Sequence, residues 1–544
     1  MAPTIDKELR SDRLGKERKH SSKVFVFAMI LVAVLMLGAT AGLMVQTGNN
    51  GGQHPSETPV RTPAGIAYTV HSPISISGNA GFTAAIGVSG VSGGTGAASD
   101  PYIIADWDIN ASTAMIGISI NDTDSHFIVK NCYVHESRSG GSSYPGGINL
   151  HNCTNGTLEN NICSNRNHAG IKLESSSNNT VSNNSCSGND FEGIWLEDSS
   201  DNTLSNNICR GNMYGILLLD SRNNMLVNNT CSGWNGIKLD SSNNNTLGHN
   251  NCSNNHDGIW LEDSSKNTLI NNNCSSNSHD GMELIELSLF NTLSYNTCSS
   301  NTDSGIYLDK SNNNDLIGNN CSSNDGSGIV INGLYHSSLS GNNRLVNNTC
   351  SSNSQIGIYV SVSNMNDLTN NTCSNNAAGI SLATAFNMNL TNNTCSNNDV
   401  GISVGSCENV MIQSNRLENN TGWGILTIWR YSWIWNNTFI GNNGAGSTYN
   451  SAHVQAFDSG TNNWWNSTDG YGNWWSDLTT PDANHDGIVD WSYNLTGSAS
   501  AKDNYPQTTA PQVPIPEFGM MPFVVVGFLA TIVLTMGARR RKTQ

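Results

Sequence analysis

The chain has 544 residues, of which only 12% are charged and 37% hydrophobic. Asn makes up about 15% and Gly contributes 53 residues against 13 Pro, a turn-rich composition that excludes helical bundles and collagen-like chains. The formal net charge is −17, but eleven of the 25 basic residues and only four of the 42 acidic ones lie in the terminal tails, so the body carries about −24. That sign excludes a nucleic-acid surface and suits cations, neutral sugars or basic partners.

Residues 1–23 form a basic leader, and the uncharged run Val24–Val45 that follows is long enough to cross a bilayer. Basic residues before such a run hold the N-terminus in the cytoplasm and send the rest outward. Ala39-Thr40-Ala41 offers a small-residue cleavage site, so signal peptide and uncleaved anchor both fit. Residues 46–69 read as a linker and 70–131 as an N-terminal cap with a first coil.

Residues 132–445 repeat themselves. Gly193-Ile194-Trp195-Leu196, then Leu204, Asn207 and Cys209, returns as Gly258-Ile259-Trp260-Leu261, Leu269, Asn272 and Cys274. It returns again as Gly305-Ile306-Tyr307-Leu308, Leu316, Asn319 and Cys321. Apolar alternation with period two predicts short strands, and Asn, Ser and Gly between them predict turns. One such coil cannot bury its apolar face alone, whereas stacked coils can. The expected fold is all-β, a single-stranded right-handed parallel β-helix of about 13–14 coils, with like residues about 4.8 Å apart along one axis. Asn161, Asn184, Asn207 and their equivalents through Asn437 should then form an inward amide ladder.

Twelve of the 14 cysteines occupy a single repeat position, from Cys132 to Cys395, and Leu417 and Phe439 take that place in the last two coils. A slot that accepts Cys, Leu or Phe is inward and apolar, so free buried thiols are expected. Parallel side chains one rung apart hold their Cβ atoms about 4.8 Å apart, beyond the usual disulfide range of about 3.5–4.5 Å; free thiols are favoured over the alternatives of disulfides or a soft-metal thiolate stack. Cys153 and Cys407 fall off this position.

The outward position between the inward Ile and Leu reads Lys172, Trp195, Leu217, Lys238 and Trp260, with Tyr307 and Tyr359 further along. Beside it run Glu174, Glu197, Asp240, Glu262 and Asp309, with Asp198, Asp220 and Asp263 one step on. Aromatic faces flanked by carboxylates suit sugar rings, which makes Trp195, Trp260, Glu197, Asp240, Glu262 and Tyr307 the ligand-binding candidates. A catalytic cluster, if the face cuts its ligand, would draw on Glu197, Asp198, Asp220 and Lys238, with two carboxylates as acid and base. The bland alternative is a solvated charged face.

Residues 446–506 form a Trp-rich C-terminal cap. Asp482, Asn484, Asp486 and Asp490, with Gly487 at the turn, follow the first half of a calcium loop, although Tyr493 stands where an EF-hand has Glu. Calcium is the one cofactor this pattern suggests. Residues 507–519 are a linker that ends in Pro516-Glu517-Phe518; an apolar run at 520–538 and a basic tail at 539–544 complete the chain. This ending resembles the archaeal PEF-CTERM sorting signal, which implies an archaeosortase-like processing enzyme and attachment to lipid. A plain C-terminal membrane anchor fits the same residues.

The Gly-Ile-x-Leu and Asn-Asn coils resemble NosD-like right-handed parallel β-helix surface proteins of archaea. The segments His71–Asn79, Ser99–Ile104 and Trp107–Asn110 resemble that family's opening cap, and Gly472–Asp477, Asp482–Gly487 and Asp503–Pro506 its closing one. The resemblance implies a carbohydrate-binding or sugar-hydrolase-like module; the family's namesake assists copper-enzyme maturation. Together these readings describe an anchored cell-surface protein that meets extracellular glycans or surface-layer components. A polysaccharide lyase or glycoside hydrolase, a structural spacer and a copper-maturation accessory are the alternatives.

Overall fold

A computed structural model describes residues 68–137, 146–165, 167–333 and 341–511. Both hydrophobic runs, the tripeptide Pro516-Glu517-Phe518 and the basic tails lie outside these residues. Among the described residues no helix is long and apolar enough to cross a membrane.

The expected parallel β-helix is formed. Two 16-stranded sheets run its length, one from Ile74–Ser77 to Ala456–Asp458, the other from Val91–Gly93 to Ser432–Trp435. Shorter sheets and single bridges make the third face. Register is strict: Ile194 pairs with Ile216, Leu204 with Leu226, and Cys209 with Cys231. A one-residue slip would turn every inward Ile and Leu to solvent, so the alternating pattern itself enforces the stacking.

The recurring glycine has a steric cause. A Cβ on Gly193 would lie 2.5 Å from the Gly215 carbonyl oxygen and 2.7 Å from Cys209 Cβ. The chain turns there against the neighbouring coil, and no side chain fits.

Polar ladders hold the corners. In the expected row, Asn207 Nδ2 donates to Asn229 Oδ1 at 2.9 Å and to the Val181 carbonyl at 2.9 Å, while the Asn207 backbone N–H also reaches Asn229 Oδ1. The residue before each ladder Asn takes a left-handed conformation, with φ of 56° at Asn206 and 57° at Asn228. Asn tolerates this conformation better than most residues, which explains the Asn-Asn pairs.

Two further Asn ladders appear that the repeat pattern alone did not single out. One passes through Asn179, Asn202 and Asn224, the other through Asn277, Asn301 and Asn324. A fourth row is made by serines, with the Ser176 backbone N–H donating to Ser199 Oγ and that of Ser199 to Ser221 Oγ. Cys153 and Cys407 belong to this row. Each thiol donates to the carbonyl two residues back, as the serines do.

All fourteen cysteines are free and buried, as expected of an inward apolar slot. Burial pushes Cys132 and Cys407 up to about 12 and Cys153 up to about 11, so these thiols stay protonated at neutral pH.

Pairing reaches both ends of the described residues. Thr69–Val70 already pairs with Trp107–Asn110, so ordered structure begins inside the expected linker. A short helix, Gly78–Ala85, seats Phe82 against Tyr102 and Phe127 in the N-terminal cap. At the other end coiling continues past residue 445: Ala456–Asp458 pairs with Ile425–Thr427, and Asn437 Nδ2 donates to Asn473 Oδ1 at 2.9 Å. Trp465 and Trp475 close the core there, with Trp475 stacked on Tyr493 at 3.8 Å.

Candidate functional site

The outward row forms as one column. Lys172, Trp195, Leu217, Lys238, Trp260, Glu283, Tyr307, Val330 and Tyr359 lie on successive rungs. Glu283 fills the gap between Trp260 and Tyr307 that the aromatic pattern left open.

Two lysines organise the row. Lys172 Nζ lies 2.8 Å from Glu197 and 3.2 Å from Glu174, over the Trp195 ring at 4.0 Å from its centroid. Lys238 Nζ lies 2.9 Å from Glu262 and 3.4 Å from Asp240, over the Trp260 ring at 4.4 Å. Opposite burial, Glu262 raises the Lys238 pKa. The four catalytic candidates are thus divided between groups: Glu197 belongs to Lys172, and Lys238 to Asp240 and Glu262. Asp198 and Asp220 sit on exposed left-handed turns, with φ of 48° and 50°. Trp195 is buried, whereas Trp260 is half-buried.

A denser group lies just before the strands Asp257–Glu262 and Met282–Ile285 and at their first residues. His256-Asp257 and His279-Asp280 precede the repeat glycines of successive coils, and in-register stacking sets one pair beside the other. The Asp257 carboxylate accepts from His256 Nδ1 at 2.8 Å and from His279 Nδ1 at 2.7 Å. Asp280 Oδ2 lies 3.5 Å from His279 Nδ1, and Asp280 Oδ1 accepts the Ser304 backbone N–H at 2.7 Å. The rings of Trp234, His256 and His279 stack in sequence, with centroid separations of 4.2 and 4.8 Å.

Electrostatics follow from depth. Asp257 is 3% and Asp280 2% exposed. Burial favours a neutral Asp257, but hydrogen bonds from His256 and His279 outweigh it and hold the carboxyl well below the usual range. The same bond raises His279 to about 10. Burial drives Asp280 well above the ordinary carboxylate value, and burial together with the Asp257 charge lifts Glu283 to about 7. Burial also raises Tyr307.

The donor atoms of His256, Asp257 and His279 lie within 4.8 Å of one another, as do those of Asp257, His279, Asp280 and Glu283. In the C-terminal loop the oxygens face the loop's own amides instead. Asp482 accepts from the Asp486 and Gly487 N–H groups, Asp486 from Ile488, and Asp490 from Ala483. Asn484 Nδ2 donates to Asp486. Beside that loop, Tyr449, Asp477, Asp490, Trp491 and Lys502 line a cleft of about 700 Å³.

A family model described as periplasmic copper-binding protein (NosD) matches residues 105–272, 234–346 and 335–480, more than half of the chain. The chain belongs to the NosD family. No curated protein matches it. Among solved structures, the A-module of the Azotobacter vinelandii mannuronan C-5 epimerase AlgE6 is 16% identical, covering 64% of this chain and 88% of that one, with a TM-score of 0.37. DFA-IIIase from Arthrobacter chlorophenolicus A6 without its lid is 10% identical, covering 66% and 81%, with a TM-score of 0.32. At these identities the likeness does not extend to activity.

Proposed function

We propose that this NosD-family chain is an exported, surface-held protein whose outer face binds carbohydrate around residues 234–309. One observation carries the reading: Trp260, Glu283 and Tyr307 stand side by side on three rungs, above the buried carboxylates of Asp257 and Asp280. Trp234, stacked on His256, is 49% exposed. Aromatic faces suit the apolar faces of sugar rings, and carboxylates and imidazoles suit their hydroxyls. Asp240, Glu262 and Asp309 extend the polar flank. Trp195 and Glu197, with Lys172, repeat the arrangement three rungs away, there with the Trp195 ring buried under Lys172.

Export is supported by the basic leader before Val24–Val45 and by the family's description as periplasmic. The Pro516-Glu517-Phe518 ending supports attachment at an archaeal-type membrane and processing by an archaeosortase-like enzyme. At the loop of Asp482, Asn484, Asp486 and Asp490 the oxygen-only donor set suits calcium.

Copper, named in the family's description, meets suitable donors at His256, Asp257, His279, Asp280 and Glu283, where a bound ion would supply positive charge to the same face. The cysteines are all buried and closed to it.

A polysaccharide lyase or hydrolase is the second reading, favoured by carboxyls driven apart, Asp257 downward and Glu283 up to about 7. Such a split assigns base and acid roles.

Glycan-array binding of the full-length protein tests the main reading. Retention of a defined glycan class, weakened in Trp234→Ala and Trp260→Ala with unchanged β-sheet circular dichroism, is the expected result. Binding to no glycan, or binding that ignores both substitutions, overturns it. Release of reducing ends or unsaturated uronates, lost in Glu283→Gln, would move the assignment to the enzyme.

A further inference from the structure

We infer that His256, Asp257, His279, Asp280 and Glu283 form a selective site for one divalent transition-metal ion, with Asp257 and His279 as its central ligands. The two donor groups overlap at those two residues, so a single ion placed there reaches both coils. His256 approaches Asp257 from the same coil, while Asp280 and Glu283 come from the next.

The density of donor atoms points to a cation. Asp257, Asp280 and Glu283 converge in a region where two of the three are nearly inaccessible to water. Asp303 approaches His279 Nε2 at 3.8 Å from the following coil. Lys238, on the same strand as Asn235, is already committed to Asp240 and Glu262.

A second observation lies one rung back. Asn235 is fully buried, its Nδ2 lies 3.3 Å from Asp257 Oδ2, and its Oδ1 has no hydrogen-bond partner. A buried polar atom at the edge of a ligand cluster is what an ion-bound water would satisfy. Backbone and stacking fix the first ligands as well. Asp257 Oδ1 accepts the Asp280 N–H at 3.2 Å, and the His256 and His279 rings are held against each other.

Donor type sets the class. Calcium and magnesium take oxygen shells, whereas paired imidazoles with carboxylates suit copper(II), zinc or nickel. Other coils carry Glu192, Tyr214 and Ser304 where Asp257 and Asp280 stand, so among the described residues the donor set belongs to two adjacent coils.

The inference rests on donor geometry and stands whether or not the face holds sugar. Its test is titration of the full-length protein with copper(II) chloride, read by calorimetry and electron paramagnetic resonance, with calcium chloride as the competing probe. The expected result is one tight ion per chain with nitrogen superhyperfine splitting, not displaced by equimolar calcium. His279→Gln and the half-exposed Glu283→Gln should each weaken binding by about tenfold or more, with unchanged circular dichroism. No stoichiometric binding, a spectrum without nitrogen coupling, or undiminished binding in both variants would overturn the assignment. Glycan retention by metal-stripped protein bears on the carbohydrate reading alone.

Discussion

Asn272 Nδ2 donates to Asn296 Oδ1 at 3.0 Å, and the Asn272 backbone N–H shares that same oxygen at 2.9 Å. Each ladder oxygen therefore serves two donors of the preceding coil, and each ladder amide also satisfies a carbonyl of the coil before its own. Asn272→Ala should leave the Asn250 donors and the Leu247 carbonyl unpaired in a dry interior. A loss of about 3 kcal/mol is expected in urea unfolding, more than a surface Asn→Ala change such as Asn273→Ala.

The repeat glycine makes a sharper prediction. Gly193→Ala forces a methyl group onto the Gly215 carbonyl and Cys209 Cβ, both backbone-fixed. Because neither can yield without moving the next coil, the midpoint of thermal unfolding should fall by several degrees.

Native thiols should be inert. With all fourteen buried, an aromatic disulfide reagent at pH 8 is expected to label none in the folded protein and all in guanidinium. Rapid native labelling of any stacked cysteine would mean that the coil around it opens.

Asp503 gives a pH dependence in the C-terminal cap. Burial pushes its carboxyl up to about 6, against hydrogen bonds from Asn473, Trp475 and Tyr505. The folded value exceeds the ordinary one of about 3.9, so the protonated form favours folding. That stabilisation is complete below about pH 4 and is lost as pH rises through about 6, a swing of about 2–3 kcal/mol. Thermal unfolding compared between wild type and Asp503→Asn across pH 4–7 should show a shallower slope in the variant, the difference being the Asp503 contribution.

The coil architecture was legible because the repeat carries two independent signals, inward Ile/Leu alternation and the inward Asn, and both require the same register. The Cys position was legible for the same reason, since Leu417 and Phe439 declare the slot apolar. The other two Asn ladders were visible as Asn three residues after most of the stacked Cys and two before most inner Leu, yet they merged into a composition already crowded with Asn. The dense site was harder. Rows of like residues draw attention to repetition, whereas His256-Asp257-Gly258 and His279-Asp280-Gly281 break it at a corner. Their signal is that the same tripeptide returns 23 residues later, one coil on. Glu283 was hidden because it replaces an aromatic in its row. Its proximity to Asp257 depends on a fold in which residues 26 apart become neighbours.

Everything about the site follows from coils in strict register, and a sulfur anomalous diffraction map tests this most directly. The account predicts sulfurs from Cys186 through Cys395 in one straight file, successive atoms about one rung or 4.8 Å apart and none joined in disulfides. Electron density phased from those sulfurs should show Glu283 between Trp260 and Tyr307. Sulfurs that scatter, pair covalently or skip a coil would contradict it, and the site built on that register would go with them.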